Sequence, residues 1–127
     1  MSRPTSEFLT EREAQIMDVL WSQGQATAEA VRLALPDEPH DSTVRTLLRV
    51  LKGKGHVRIT GRNPASYEPL VSREKAQSTA TQSLLARLFQ GAAESLVLRL
   101  LEDEKLTTEQ IAELRKKIKS RKRKGGS

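Results

Sequence analysis

The sequence contains no cysteine and few aromatic residues. The absence of cysteine excludes disulfides, thiolate metal sites and cysteine nucleophiles, and it fits a reducing cytoplasm. Aromatic residues make up 3% of the chain, whereas a protein that stacks single-stranded bases needs more of them. No apolar run approaches the roughly 18–20 residues of a membrane span, and residues 1–7 lack the apolar stretch of a signal peptide. We therefore expect a cytoplasmic protein without membrane contact.

Acidic residues are missing from one internal stretch, between Ser42 and Tyr67. The formal net charge of the chain is +6, and a basic balance alone suits nucleic acids, membrane surfaces and acidic proteins equally. Its placement is more informative, because this stretch holds six basic residues and the rest of the chain sums to zero. A second basic run, from Arg115 to Lys124, is offset by acidic residues elsewhere.

Two short helices are predicted before the acid-free stretch. Thr10 and Glu13 have the spacing of a capping box, which begins the first helix, and Gly24 ends it. Ala26–Thr27 is expected to open the second helix, with Thr27 as its cap. The inward-facing residues predicted for the second helix are Val31, Ala34 and Leu35.

The acid-free stretch itself predicts a third helix and a hairpin. Asp41 or Ser42 is expected to cap this helix. Two stripes run along it at helical spacing, one apolar (Val44, Leu47, Leu48, Leu51) and one polar (Ser42, Arg45, Thr46, Arg49, Lys52). Residues 56–60 alternate as a strand does, residues 61–65 predict a turn, and residues 66–68 predict a return strand. Three helices followed by a hairpin indicate a winged helix-turn-helix.

In a helix-turn-helix, the second of the paired helices enters the major groove and its first residues reach base edges. We therefore predict that the third helix and the hairpin bind double-stranded DNA, without a metal or cofactor. The residues expected to contact bases or phosphates are Ser42, Thr43, Arg45 and Thr46; those expected on phosphates are Arg49, Lys52 and Lys54; those on the hairpin are Arg58, Arg62 and Asn63. The alternative is a solvated basic face.

The chain changes character after Val71, and we predict a winged-helix domain over residues 1–71 and a helical dimerisation region with a basic tail over residues 72–127. Ser72 is the expected cap of the first helix there, and Gly91 ends that helix. Residues 95–101 are apolar nearly all round, and a second copy of the chain is the simplest cover for them. The predicted dimerisation residues are Leu84, Leu88, Leu96, Val97, Leu98, Leu100, Leu101, Ile111 and Leu114.

The remaining motifs are less informative about function. Ser72–Lys75 matches the S-x-x-K motif of penicillin-recognising serine enzymes, but neither S-D-N nor K-T-G occurs, so Ser72 is interpreted as a helix cap. His40 and His56 lack partners at metal-site spacing, and we expect exposed or turn positions for both. Thr107 and Gln110 form a second capping box. Residues 1–8 and 125–127 are expected to be flexible ends. Because no nucleophile, base or metal set assembles, we do not expect an enzyme.

Several segments together resemble the penicillinase repressors, also called the BlaI/MecI family. They are Leu9–Glu13, Val19–Trp21, Ser42–Leu48, Lys54–Gly55, Tyr67–Val71, Ser95–Leu98 and Glu109–Arg115. The resemblance implies a cytoplasmic homodimer on a palindromic operator, with an amino-terminal winged helix and a carboxy-terminal dimerisation region, that represses a resistance or stress operon.

The resemblance also implies a regulatory protease or sensor as a partner. In the family, a sensor-linked protease cuts an Asn-Phe bond in the helix after the glycine break. In this sequence the bond falls at Arg99-Leu100, which departs from that pattern. The copper-responsive mode of some relatives needs Cys-x-Cys pairs, and the absence of cysteine excludes it.

Two further hypotheses are compatible with the residues. One is a nonspecific architectural DNA-binding protein that uses the basic tail as much as the hairpin. The other is a helical adaptor that binds an acidic protein and no DNA.

Overall fold

The computed structural model describes residues 8–104 and 106–125, with side chains as far as residue 122. Its helices are α1 (Glu11–Gln23), α2 (Ala28–Ala34), α3 (Asp41–Gly53), α4 (Arg73–Phe89), α5 (Ala93–Asp103) and α6 (Thr108–Gly125), and its strands are β1 (Ala26–Thr27), β2 (Val57–Thr60) and β3 (Ser66–Pro69). These elements confirm the predicted class, mainly α with a small β-hairpin. None of the described helices is long and apolar enough to cross a membrane.

The chain divides into two compact units between Gln82 and Ser83, inside α4. The domain boundary predicted after Val71 stays a prediction. The flexible ends predicted for residues 1–7 and 126–127 lie outside the described residues. Gly125, which was expected in the flexible end, is instead the last residue of α6.

The predicted helix signals of the first unit are confirmed. The Thr10 hydroxyl accepts a hydrogen bond from the Glu13 amide (3.2 Å), and the Glu13 carboxylate accepts one from the Thr10 amide (2.9 Å). Gly24 ends α1 with a φ of 85°, a left-handed conformation that glycine adopts without steric cost. Thr27 caps α2 by accepting a hydrogen bond from the Ala30 amide (3.0 Å), and Ser72 in the same way accepts one from the Lys75 amide (3.0 Å).

The strand β1 was not foreseen. Ala26 and Thr27 were expected to open α2, but both are extended and pair with Tyr67 and Ser66 of β3. The sheet therefore has three antiparallel strands in the order β1-β3-β2. Two residues are too few to show the alternation that reveals a strand in a sequence.

The ends of the next two helices also differ from the prediction. Ala34 is exposed, because α2 ends there and the extended Leu35 turns its own side chain into the core. Neither Asp41 nor Ser42 caps α3, since His40 occupies the cap position and makes no side-chain capping bond. Asp41 is already helical, and its carboxylate accepts a hydrogen bond from the Arg45 side chain instead.

One hydrophobic core holds the first unit together. Fully buried side chains come from each of α1, α2, α3 and β2: Ile16, Met17, Leu20, Val31, Val44, Leu48, Leu51 and Val57. Val44, Leu48 and Leu51 confirm the apolar stripe of α3, and Leu47 of the same stripe is partly buried. His56, which was expected to be exposed or in a turn, is buried, because it lies between the end of α3 and β2.

The second unit has a different character. None of its described residues is buried within the single chain. Its predicted capping box is confirmed, because the Thr107 amide donates to the Gln110 side chain (2.9 Å) and the Gln110 amide donates to the Thr107 hydroxyl (3.1 Å). Local sequence signals therefore define these helices, although the part of the chain that the structure describes does not bury their side chains.

Candidate nucleic-acid interface

The core fixes which face of α3 meets solvent. Because Val44, Leu48 and Leu51 point into the core, helical geometry turns the polar stripe outward. The exposed residues of this face are Ser42, Thr43, Arg45, Thr46, Arg49 and Lys52. The helix therefore presents hydroxyls and cations side by side along about three turns.

The hairpin carries a second set of residues predicted to contact DNA. Arg58 lies on β2 directly opposite Glu68 of β3. Arg62 and Asn63 are exposed in the turn between the strands, where Gly61 and Asn63 have φ values of 71° and 53°. Asparagine and glycine are the residues that tolerate such left-handed positions, which explains why a tight turn forms here.

A groove of about 510 Å³ brings the helix and the hairpin together. Arg45 lines it from α3, and Arg62 and Asn63 line it from the hairpin turn. Tyr67 and the first residues of α2 also line this groove. These predicted residues, which are distant in sequence, therefore face a common space.

The basic stretch is free of acids in sequence but not in space. Arg45 pairs with Asp41 (2.9 Å), one residue before the stretch. Arg58 pairs with Glu68, one residue after it. Neither ion pair was predicted from the sequence. The spacing of Asp41 and Arg45 by four positions was a readable signal, whereas the contact of Glu68 depends on the strand register.

Lys54 is less exposed than the other predicted cations. Its ammonium donates to the Glu13 carboxylate (2.7 Å) and to the carbonyl of Phe8 (3.1 Å). The Lys54 side chain is 20% exposed and that of Glu13 is 3% exposed. This geometry favours a structural role for Lys54 over the phosphate contact predicted for it.

The charge of Glu13 is stabilised by these contacts. Burial raises the pKa of the Glu13 carboxyl, but hydrogen bonds from Lys54 and from the Thr10 amide outweigh that effect and leave the pKa below its ordinary value of 4.5. The pair therefore ties the beginning of α1 to the end of α3 and holds the exposed helix on its support.

Three of the cations predicted to contact DNA are free to bind phosphate in the described part of the structure. In the part of the chain that the structure describes, Arg49, Lys52 and Arg62 form no ion pair, and all three are exposed. Exposed, unpaired cations lose little on meeting a phosphate, since no internal partner has to be released. They are the simplest candidates for phosphate contacts.

The predicted dimerisation residues lie on α4, α5 and α6 of the second unit. Several large apolar side chains there are strongly exposed, among them Leu88 (65%), Val97 (52%) and Leu98 (56%). The half-exposed remainder consists of Leu84, Leu96, Leu100, Leu101, Ile111 and Leu114. A hollow of about 490 Å³, lined in part by Leu88 and Leu98, opens between α4 and α5.

The described residues of the first unit thus define a winged-helix protein whose exposed helix face carries cations and hydroxyls. The chain belongs to the penicillinase repressor family, a family of transcriptional repressors, whose sequence profile matches residues 9–120. This confirms the resemblance drawn from the residue pattern.

The chain is also similar to individual proteins named as regulators or repressors. The chain is 26% identical over 110 residues to the methicillin resistance regulatory protein MecI of Staphylococcus aureus (strain N315), an alignment that covers 84% of this chain and 89% of the relative. It is also 26% identical over 106 residues to a penicillinase repressor of Staphylococcus aureus, covering 81% of this chain and 84% of the relative.

Proposed function

We propose that this repressor is a sequence-specific DNA-binding homodimer that acts on a palindromic operator. The observation that carries the proposal is the two-faced α3, whose apolar residues are fully buried while the opposite face exposes cations and hydroxyls beside the hairpin. A helix held in this way fits the width of the major groove of B-form DNA.

Roles follow from position along α3 and the hairpin. Near the beginning of the helix, Arg45 can donate two parallel hydrogen bonds to guanine, and Thr46 can contact a base or its methyl group. Ser42 and Thr43 serve bases or phosphates there, and Arg49 and Lys52 serve phosphates further along. The hairpin residues Arg58, Arg62 and Asn63 lie over the backbone or in the minor groove and contribute affinity without selectivity.

The second unit supplies the proposed dimer contacts. Burying a large aliphatic side chain contributes about 1.5–3 kcal/mol, and the described residues of the single chain leave the leucines and valine of α5 exposed. A two-fold pair presents two recognition helices about 34 Å apart, one turn of duplex or a multiple of it. The proposed dimer is cytoplasmic, because its DNA operator is there, and it needs no cofactor.

The DNA-reading role is tested with a duplex enriched by the protein from a randomised pool. Arg45→Ala and Thr46→Ala should weaken binding to the enriched duplex by about tenfold each and change binding to a scrambled duplex much less. Arg58→Ala and Arg62→Ala should weaken both and lower the salt dependence. If the α3 variants bind both duplexes as the wild type does, the recognition helix is wrongly assigned.

The dimer is tested by sedimentation at micromolar concentration. Leu98→Glu places a charge on the exposed apolar face and should give a monomer with weakened operator binding. The matched control is Gln82→Glu, which adds the same charge at an exposed polar position of α4 and should remain dimeric. A wild-type protein that sediments as a monomer contradicts the proposal.

The nonspecific alternative makes a different prediction. An architectural protein depends on its basic tail, so deleting residues 119–127 should abolish most of its DNA affinity. The proposed repressor should lose little affinity for the enriched duplex under the same deletion, because its contacts lie on α3 and the hairpin.

A further inference from the structure

One acidic side chain stands at the beginning of the proposed DNA-reading helix. Asp41 is the first residue of α3, and its side chain is 49% exposed. Its carboxylate accepts a hydrogen bond from Nε of Arg45 at 2.9 Å. An exposed ion pair of this kind contributes little to folding stability. The helix dipole also favours a carboxylate in the first turn, but only slightly, which is a small gain for a carboxylate on a surface that meets a polyanion.

The pair leaves the useful end of the guanidinium unoccupied. Arginine has five N–H donors in a rigid planar fork. Asp41 takes the one on Nε. No described residue accepts from the four on the two terminal nitrogens, so these can form the parallel pair of hydrogen bonds that guanine accepts. The carboxylate therefore fixes the plane of the fork without competing for the donors that read a base.

The acidic residue that lines the groove together with Arg45 does not perform this task. Glu29 lines the same groove, but Arg32 occupies both of its oxygens at 2.9 and 2.8 Å. Within the described residues, Asp41 is the only acidic side chain hydrogen-bonded to Arg45.

We infer that Asp41 is a specificity-determining residue, which orients Arg45 for a guanine contact and disfavours binding where the duplex offers only phosphate. The inference rests on the proposed DNA-reading role of α3. On a matching site, the two hydrogen bonds from the oriented Arg45 to guanine compensate for the repulsion between Asp41 and the nearby phosphates. On any other sequence the carboxylate repels phosphates and nothing compensates. Asp41 thus lowers nonspecific affinity and raises affinity for the matching site.

The test compares two variants that each remove one carboxylate partner of an arginine. Asp41→Asn should strengthen binding to a scrambled duplex severalfold at low salt and weaken binding to the enriched duplex, so that the ratio of the two affinities falls about tenfold. Glu68→Gln, which releases Arg58 on the hairpin, should strengthen binding to both duplexes by the same factor and leave the ratio unchanged. Thermal unfolding verifies that both variants are folded.

A third variant separates orientation from charge. If Asp41 acts through Arg45, Asp41→Asn should leave the affinity ratio unchanged when Arg45 is already alanine. Equal effects of Asp41→Asn and Glu68→Gln on the ratio, or an undiminished effect of Asp41→Asn in the Arg45→Ala background, overturn the inference while the proposed function stands. A randomised pool from which the wild type enriches no sequence overturns the proposed function, and the inference with it.

Discussion

Replacing Lys54 by methionine tests whether this cation holds the fold or binds DNA. The substitution keeps an aliphatic side chain of similar length but leaves the buried Glu13 carboxylate without its ammonium partner. Removing one member of a buried pair costs about 3–5 kcal/mol. Lys54 is 20% exposed and Glu13 keeps its hydrogen bond from Thr10, so we expect a loss of about 2–3 kcal/mol.

The assay is urea unfolding at neutral pH, followed by a thermal scan. The expected loss corresponds to a fall in Tm of roughly 8–15 °C for a chain of this size. The matched control is Lys52→Met, which removes the same charge from the same helix at an exposed position, where no described residue forms an ion pair with it. That control should change stability by less than about 0.5 kcal/mol.

DNA binding should show the reverse pattern. Lys52→Met should weaken duplex binding, because Lys52 is a proposed phosphate contact, whereas folded Lys54→Met should bind nearly as the wild type does. If Lys54→Met unfolds like the wild type and binds DNA less tightly, the structural role of Lys54 is refuted and the contact predicted from the sequence is restored.

Three further predictions follow from the same contacts. Because the pKa of Glu13 is lowered in the fold, its charge contributes stability above the ordinary value of 4.5 that is lost as the pH falls through the lowered pKa; Glu13→Gln should be less stable at neutral pH and flatter in acid unfolding, and parallel pH curves would contradict this. Leu48→Ala should cost about 2–5 kcal/mol in urea unfolding, because Leu48 is fully buried, and a loss below about 1 kcal/mol would contradict the core assignment. Arg49→Ala removes one proposed phosphate contact from each copy, so it should reduce the slope of log affinity against log salt by about 1.8 for the dimer, and an unchanged slope would remove Arg49 from the interface.

Much of the first unit could be predicted from local patterns. Thr10 with Glu13, Gly24 and Thr27 marked helix ends correctly, since each signal depends only on residues within one turn. The buried stripe of α3 was visible because its period is fixed by the helix itself. These features need no knowledge of the tertiary structure.

What the patterns missed depends on contacts between distant residues. β1 exists because β3 offers Ala26 and Thr27 a partner about 40 positions away. The contact between Lys54 and Glu13 was not foreseen, because the two residues lie 41 positions apart in the sequence. The ion pair between Arg58 and Glu68 was likewise not foreseen, because it depends on the strand register that places Glu68 opposite Arg58.

The junction before α4 illustrates the same limit. Trp21 is partly buried against the core. Its indole also donates a hydrogen bond to the carbonyl of Val71 at 2.8 Å, and the Arg73 guanidinium lies 5.5 Å from the ring centre. Arg73 in turn pairs with Asp18 at 2.7 Å. A span of about 50 residues separates these partners, so no local pattern could reveal the contact.

The central claim is that α3 reads a base sequence twice, once in each copy of a dimer. Repeated selection of duplexes from a randomised pool by the full-length protein tests it most directly. We predict that one sequence is enriched and that it is an inverted repeat whose halves are centred about 34 Å, or a multiple of that distance, apart along the duplex. Enrichment of no sequence, or of a sequence without two-fold symmetry, would contradict the account.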